Sequence, residues 1–292
     1  MIKLIIDSGT DQNDFYKEKY DYDFIPLSII HKDQVYIDQE EIEQEELLSL
    51  LREGHFLRTS QPSPGEVKTL LEKYRLKNDE VIIISIWNKL SGTYQVIKSV
   101  VQEYQEEYPN FKLTLIDSNS GSVAATILSM QAMEMIQARY DYDEIVRQTK
   151  WNAKHLSIYL TVSDLKWLVK GGRLSNVAGF IGSALKVKPL LTVNDEEIFA
   201  DGMIRGNKRI YKKMVERIKE DTESFQEQLY CISHVGELEN AKRIETLIKK
   251  EIPGAKTMIF EFGAVLAAHI GIGGVAIAAL NEKPDKYLMP KI

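Results

Sequence analysis

Short apolar runs alternate with amphipathic helical patterns along the whole chain, and this alternation predicts an α/β fold with a largely parallel sheet. The run at residues 81–86 is apolar at nearly every position, as central parallel strands are when both faces are covered. Further strands are predicted at 3–6, 24–30, 35–37, 112–116, 157–161, 185–193, 196–204, 228–234 and 256–262. Helices are predicted at 41–52, 91–108, 121–138, 143–153, 163–170, 207–221 and 238–251, with a capping box at Ser63 starting another.

The chain length of 292 residues fits one large domain or two ordinary domains. The composition becomes polar and aromatic at residues 140–143, and the domain boundary is expected shortly after this stretch. We therefore predict an N-terminal α/β domain over residues 1–153 and a C-terminal α/β domain over residues 154–292.

Residues 262–280 form an uncharged stretch whose length is close to that of a membrane span. Four glycines and His269 interrupt it, and no cluster of lysine and arginine flanks it as an orientation signal. Two buried segments separated by glycines therefore explain the stretch better than a membrane helix. The short apolar run at the N-terminus does not fit a signal peptide, so a cytoplasmic protein without stable membrane insertion is expected.

The charge and the reactive side chains exclude several classes of function. Lysine and arginine number 37 against 43 aspartates and glutamates, a net charge of -6 that argues against nucleic acid as the main partner. One cysteine, Cys231, rules out an intrachain disulfide, and the five histidines show no metal-ligand spacing. We expect neither a metal site nor a resident cofactor.

Small hydroxyl residues follow several predicted strands or precede helices, where the carboxyl edge of an open α/β sheet binds ligands. They include Ser8, Thr59, Ser60, Ser91, Thr93 and Ser118. Serine and threonine cap helices in most proteins, so any one of them is as well explained as a cap. Several at one edge favour a bound anion, because backbone N–H groups at helix starts attract negative charge.

Two further positions carry candidate chemistry. His269 lies in an apolar, glycine-flanked context, where a polar side chain needs a specific partner; the alternative is a core histidine bonded to backbone. Arg173 follows two glycines, and its guanidinium matches a carboxylate bidentately; the alternative is a surface arginine at a helix end. No nucleophile elbow, phosphate-binding loop or zinc-protease motif is present.

Short motifs follow one another in a specific order over nearly the whole chain. They are Asp7-Ser8, Ile25-Pro26-Leu27, Thr59-Ser60-Gln61-Pro62-Ser63, Leu90-Ser91-Gly92-Thr93, Ile116-Asp117-Ser118, Lys170-Gly171-Gly172-Arg173-Leu174-Ser175 and Val187-Lys188-Pro189-Leu190-Leu191, followed by Arg205. In this order they resemble the DegV family of bacterial fatty-acid-binding proteins. That family includes the acyl-presenting subunits of a two-component fatty acid kinase.

The resemblance implies a three-layer α/β/α N-terminal domain with a mainly parallel sheet, and a C-terminal α/β domain with a mixed sheet. It implies a long-chain fatty acid between them, with its tail in an apolar tunnel of the second domain. The implied ligand-binding residues are Thr59, Ser60, Ser91, Gly92, Thr93, Ser118 and His269. Residues 177–185 and the glycine-rich stretch are the candidate tunnel walls.

The resemblance also implies a separate kinase that supplies ATP, magnesium and the phosphoryl-transfer machinery. Arg173, Arg205 and His269 would then couple the carrier to that kinase, while the protein alone would not be an enzyme. Transient contact with a membrane is compatible with this role.

The sequence departs from the family pattern at two places. The segment His269-Ile270-Gly271-Ile272-Gly273 has isoleucine where the family has a hydroxyl residue, which affects hydrogen bonding to the head group. Trp87 and Lys89 stand in a loop that usually carries a serine pair, and they are expected to reshape the head-group pocket or its rim.

Two other classes of function compete with the carrier. One is a stand-alone hydrolase or phosphotransferase that uses Ser91 and His269, although a nucleophile needs a base oriented by a third group. The other is a transcriptional or structural module, for which the sequence offers no helix-turn-helix or basic stripe.

Overall fold

The computed structural model describes residues 1–174 and 187–291, so the predicted tunnel segment 177–185 lies outside the described residues. The strands are β1 (Ile2–Asp7), β2 (Tyr22–Ile25), β3 (Ser28–His31), β4 (Gln34–Ile37), β5 (Arg58–Ser60), β6 (Glu80–Ser85), β7 (Leu113–Asp117), β8 (Leu156–Thr161), β9 (Val187–Val193), β10 (Ile198–Arg205), β11 (Leu229–His234), β12 (Lys256–Glu261) and β13 (Val275–Leu280). The helices are α1 (Asp14–Lys19), α2 (Gln44–Arg52), α3 (Pro64–Arg75), α4 (Thr93–Glu107), α5 (Ser122–Gln137), α6 (Tyr142–Asn152), α7 (Lys166–Lys170), α8 (Asn207–Asp221), α9 (Leu238–Glu251) and α10 (Ala264–Ile270).

These strands form three sheets. A four-stranded sheet has the order β2-β1-β6-β7, and all its neighbouring strands are parallel. A six-stranded sheet has the order β10-β9-β8-β13-β11-β12, in which only β11 and β12 pair in parallel. A small antiparallel sheet has the order β4-β3-β5. The prediction of a mixed α/β fold with one parallel and one mixed sheet is therefore confirmed.

Helices cover both faces of each large sheet. Helices α3 and α4 pack on one face of the parallel sheet, and α5 packs on its other face. Helix α5 also contacts strands β8, β11 and β13 of the mixed sheet, whose outer face is covered by α8 and α9. The two sheets therefore share α5 as a common middle layer.

The sequence of α5 explains why it lies between the sheets. Nearly every residue from Ser122 to Met133 is buried, and the helix has no polar face to present to water. A helix that is apolar on all sides is stable only when it is covered on all sides. A single hydrophobic core contains residues of α5 and of both large sheets. The domain boundary after residue 153 therefore remains a proposal.

Residues 262–280 form a helix and a strand. Helix α10 ends at Gly271, which has a φ of 76°, and β13 begins at Val275 in the middle of the mixed sheet. Within the described residues, no helix is long and apolar enough to cross a bilayer. The expectation of two buried segments separated by glycines is confirmed.

The prediction of one strand over residues 24–30 is wrong. The chain forms β2 up to Ile25 and then β3 from Ser28, and these two strands belong to different sheets. Pro26 stands between them, and proline has no N–H group to continue a ladder of hydrogen bonds. The strand predicted at residues 35–37 is confirmed as β4, which pairs antiparallel with β3.

The shared helix leads to a prediction about stability. Leu128 of α5 is 0% exposed, so Leu128→Ala should lower the free energy of unfolding by about 2–5 kcal/mol through a buried cavity. The matched control is Leu76→Ala, because Leu76 is 68% exposed and its replacement should change stability by less than ~0.5 kcal/mol. Urea denaturation of both variants measures the difference. Equal free energies of unfolding for the two variants would show that the buried position of Leu128 in α5 does not stabilise the protein.

Candidate functional site

A cavity with about 730 Å³ of atom-free space, part of it open to solvent, lies between the mixed sheet, helix α10 and the loops that follow strands β6 and β7. Its walls are mainly apolar. They include Ile158 and Leu160 of β8, Ala276 of β13, Phe262, and the α10 residues Val265, Leu266 and Ile270. Among the described residues, the polar side chains that line it are those of Thr59, Ser91, Ser120, Ser122, Arg173 and His269. The cavity is thus suited to a ligand with a long apolar part and one polar group.

A hydrogen bond joins two of these polar side chains across the fold. Thr59 lies on β5, His269 lies near the end of α10, and Thr59 Oγ1 is 3.0 Å from His269 Nε2. The two residues are 210 positions apart in the chain. A hydroxyl and an imidazole are therefore fixed together at the cavity wall, where each still offers hydrogen-bonding capacity to a ligand.

Gly171 allows the His269 ring to take this position. A Cβ atom on Gly171 would lie 2.3 Å from His269 Nδ1, which is far shorter than any normal contact. Only glycine at this position lets the backbone approach the imidazole so closely. Gly171, the first glycine of the Gly171-Gly172-Arg173 motif, thus has a packing role that the sequence pattern did not specify.

The imidazole of His269 is neutral at physiological pH. Burial and the nearby positive charge of Arg173 lower the pKa of His269 to about 4. Its Nδ1 atom is buried and has no hydrogen-bond partner in the described part of the chain. Within those residues no carboxylate orients this ring, so a catalytic base of the usual nucleophile–base–acid type is not assembled at His269.

Arg173 contributes the positive charge of the site. Its Nε donates a hydrogen bond to the Leu90 carbonyl at 3.1 Å, and its Nη1 donates to the Gly171 carbonyl. Burial lowers the pKa of this guanidinium, and no described carboxylate forms an ion pair with it. A half-buried arginine whose partners are backbone carbonyls retains an electrostatic preference for an anion.

The serine turn before α4 brings Ser91 to the cavity. Ser91 Oγ is 2.9 Å from Thr93 Oγ1 and accepts a hydrogen bond from the Thr93 N–H at 3.2 Å. Thr93 is fully buried behind Ser91 and does not line the cavity, and Gly92 serves as the N-cap of α4. These two predicted residues therefore position Ser91. No hydrogen bond joins Ser91 to His269 among the described residues.

Three other predicted residues lie away from the cavity wall. Ser60 pairs with Ser28 at the end of β5. Ser118 is buried, and its hydroxyl donates to the Ser120 carbonyl at 2.7 Å within a turn. Arg205 is exposed at the end of β10. The structure thus brings together Thr59, Ser91, Arg173 and His269, and leaves these three outside.

Comparison with known proteins identifies the family. Residues 1–282 match the family model described as "Uncharacterised protein, DegV family". The chain belongs to the DegV family. A fatty acid-binding protein of Thermotoga maritima is 28% identical over 97% of this chain and 99% of its own length.

Solved structures of DegV proteins share the fold. DegV of Bacillus subtilis, described as a fatty acid binding protein, is 26% identical with a TM-score of 0.82, covering 95% of this chain and 98% of its own. The fatty acid kinase (Fak) B3 protein of Streptococcus pneumoniae, loaded with linoleic acid, is 18% identical with a TM-score of 0.85, covering 97% of this chain and all of its own. The latter similarity concerns the fold alone.

Sequence reasoning missed Ser120 and Ser122, which line the cavity of this DegV protein. The Ser122 hydroxyl donates to the carboxylate of Asp11, which is fully buried. Burial raises the pKa of Asp11 to about 6, while hydrogen bonds from Ser122 and Gly263 oppose that rise. The available signal was Asp11 itself, the first aspartate after β1, which stands at the ligand-binding edge of the sheet.

The two departures from the DegV pattern have different positions. Ile270 lines the cavity, so an apolar side chain stands where the family has a hydroxyl group. Ile272 lies outside the cavity and faces Gly236. Trp87 is buried without lining the cavity, and Lys89 is exposed. Of the side chains that depart from the family pattern, only Ile270 is among the described residues that line the cavity.

The environment of His269 leads to a prediction about its protonation. In an NMR titration of the ring nitrogens, His269 should stay neutral from pH 8 down to about pH 5, because its pKa is lowered to about 4. The unfolded chain binds this proton below pH ~6.5, so His269 lowers stability as the pH falls from about 6.5 towards 4. A titration midpoint near pH 6.5 would contradict the buried position.

Proposed function

We propose that this DegV protein binds one long-chain fatty acid, with the acyl tail in the apolar cavity and the carboxylate beside Thr59, Ser91 and His269. The observation that carries the proposal is the combination found in the cavity: apolar walls with a few converging polar groups. That combination is typical of pockets for amphiphilic small molecules.

The energetics assign different roles to the tail and the head group. Each buried methylene contributes ~0.8 kcal/mol, so about fifteen methylenes contribute ~12 kcal/mol as an upper bound. A hydrogen bond to a charged group contributes only ~1.5–3 kcal/mol. The apolar walls therefore set the affinity, and the polar groups set the position of the carboxylate.

The polar groups favour an ionised carboxylate at this position. Thr59, Ser91 and neutral His269 supply hydrogen bonds, and Arg173 supplies a positive charge. Opposite charges and hydrogen-bond donors both favour the charged form of an acid. Ser60 and Ser118 lie outside the cavity and are not needed for this contact, whereas Gly92 and Thr93 support Ser91.

The relatives support the ligand. The similar proteins of Thermotoga maritima and Bacillus subtilis are both described as fatty acid-binding, and each aligns over nearly the full length of this chain. The residues of this chain that line the cavity have the chemistry such a ligand requires.

We further propose that the bound fatty acid is presented to a separate kinase that phosphorylates the carboxylate. Support comes from the shared fold with the Fak B3 protein and from Arg173, whose guanidinium faces the same cavity. An arginine beside a carboxylate stabilises the additional charge of a transferred phosphoryl group.

Exposed Arg205 is then a docking contact for the kinase. The protein itself carries no phosphoryl-transfer step, and a cytoplasmic location follows from the need for ATP.

Extraction of lipid from the purified protein tests the ligand. Protein prepared without added lipid should release close to one fatty acid per chain into organic solvent, identified by mass spectrometry. The Ser91→Ala variant should bind added fatty acid about tenfold more weakly, since losing one charge-assisted hydrogen bond corresponds to ~1.4 kcal/mol or more.

The control for Ser91→Ala is Ser99→Ala, because Ser99 is exposed on α4, the helix that follows Ser91. This variant should bind as the unchanged protein does. An empty protein that takes up no added fatty acid would overturn the proposed ligand. Complete loss of binding in folded Ser91→Ala would show that the tail does not dominate affinity.

Replacement of Arg173 separates binding from phosphorylation. Arg173→Ala should retain fatty acid binding within about threefold, yet lower acyl-phosphate formation with the partner kinase by at least tenfold. Arg243→Ala is the control, since Arg243 is an exposed helical arginine outside the cavity. Unchanged phosphorylation in Arg173→Ala would remove this residue from the transfer step.

A further inference from the structure

The apolar cavity extends across the strands of the mixed sheet. Its sheet wall is formed by Ala276 on β13, Leu160 and Ile158 on β8, Val193 at the end of β9, and Ile198 at the start of β10. These four strands are neighbours in the order β13-β8-β9-β10. Adjacent strands lie ~4.8 Å apart, so the wall crosses three spacings, or about 14 Å. The cavity therefore reaches β10, an edge strand of the sheet.

The register of the strands shows the direction of the cavity. Ala278 is the next residue of β13 on the cavity-facing side, but it is fully buried and does not line the cavity. The lining continues instead from Ile158 to Val193, which the antiparallel register of β8 and β9 places side by side. Val193 in turn pairs directly with Ile198. The cavity thus turns from β13 towards the hairpin of β9 and β10.

Val193 and Ile198 are the last pair of this hairpin before its turn, residues 194–197. Ile198 is only 7% exposed and belongs to the hydrophobic core that contains α5, and Val193 packs against the same core. The turn is not part of the described lining, and the side chain of exposed Asn194 accepts hydrogen bonds from two N–H groups within it. The two branched side chains therefore separate the apolar cavity from an exposed polar turn.

The polar groups of the site lie at the opposite end of the cavity. Residues 271–274 alone connect α10 to β13, so His269 lies at the β13 end, and the positive charge of Arg173 acts on it there. At the hairpin end, the turn carries the exposed side chains of Asp195 and Glu196. Arginine attracts a carboxylate and acidic side chains repel it. The charges therefore favour an acid whose tail points towards the hairpin.

We propose that Val193 and Ile198 contact the terminal methyl group of the bound fatty acid and set the longest acyl chain that the protein accommodates. This inference rests on the fatty acid binding proposed above. Each methylene held in the cavity strengthens binding about fourfold. A methylene that meets these two side chains gains nothing, because a close-packed wall makes space only through strained shifts. Affinity should therefore rise with chain length up to a limit and then fall.

Substitutions at this pair test the limit in both directions. The delipidated full chain is titrated with the even-numbered saturated acids from lauric to behenic acid. Ile198→Ala shortens a side chain at the end of the cavity, so the tightest-bound acid should move at least one member up the series. Binding of that longer acid should improve about tenfold, because two further methylenes are buried.

Val193→Phe fills the same space and should move the tightest-bound acid at least one member down the series. Phenylalanine favours strands, so this variant retains the hairpin and keeps the test decisive if Ile198→Ala does not fold. The matched control is Ile204→Ala, because Ile204 lies on the same strand but packs against the separate core formed with α8 and α9. Its length profile should equal that of the unchanged protein.

The outcomes separate this inference from the function on which it rests. An unchanged length profile in Ile198→Ala and Val193→Phe would overturn the role of the pair while leaving fatty acid binding intact. Weakening by one common factor for every acid would do the same, since it would show a general effect on the fold. If the unchanged protein takes up none of the acids, the proposed function fails and this inference fails with it.

Discussion

The burial of α5 between two sheets is the packing constraint on which the rest of this structure depends. Because the helix has no polar side, the parallel sheet and the mixed sheet must both lie against it. The loops after the parallel strands are thereby brought towards the mixed sheet. Thr59 of the small sheet also meets His269 of α10, across 210 positions of sequence. The hydrogen bond from Tyr16 to Ser129 at 2.8 Å fixes the N-terminal segment to the same helix. The cavity is a consequence of this arrangement, since its lining combines residues of the mixed sheet with residues of the loops after β6 and β7.

Buried carboxylates hold the loops around that cavity. Asp7 accepts hydrogen bonds from the N–H groups of Gly9 and Ile86, and Asp11 accepts one from Gly263. Burial raises the pKa of both acids to about 6, and each backbone hydrogen bond offsets part of that cost. Because Asp11 belongs to the first half of the chain and Gly263 to the second, this contact also joins the two halves.

The sequence predicted local elements well and their contacts poorly. Helices at 207–221 and 238–251 have the predicted bounds, because their apolar spacing is regular and uninterrupted. Ser118 was expected at the site because it follows a strand, yet its hydroxyl is used within its own turn. Local pattern cannot distinguish these two uses of a serine. The prediction of one strand over residues 24–30 was wrong because it followed the apolar character of the run and neglected Pro26. This proline divides the run into two strands that belong to different sheets.

Close approach of glycine backbone to large side chains determines the geometry at the end of α10. Gly171 lies against the His269 ring, and a Cβ atom on Gly271 would lie 2.2 Å from the Trp167 ring. Gly271 also has a φ of 76°, which other residues rarely adopt, so it ends the helix after Ile270, one residue beyond His269. The other end of α10 is held by Asp11 and Asp38, which accept hydrogen bonds from the N–H groups of Gly263 and Ala264. The position of His269 therefore follows from contacts at both ends of one short helix.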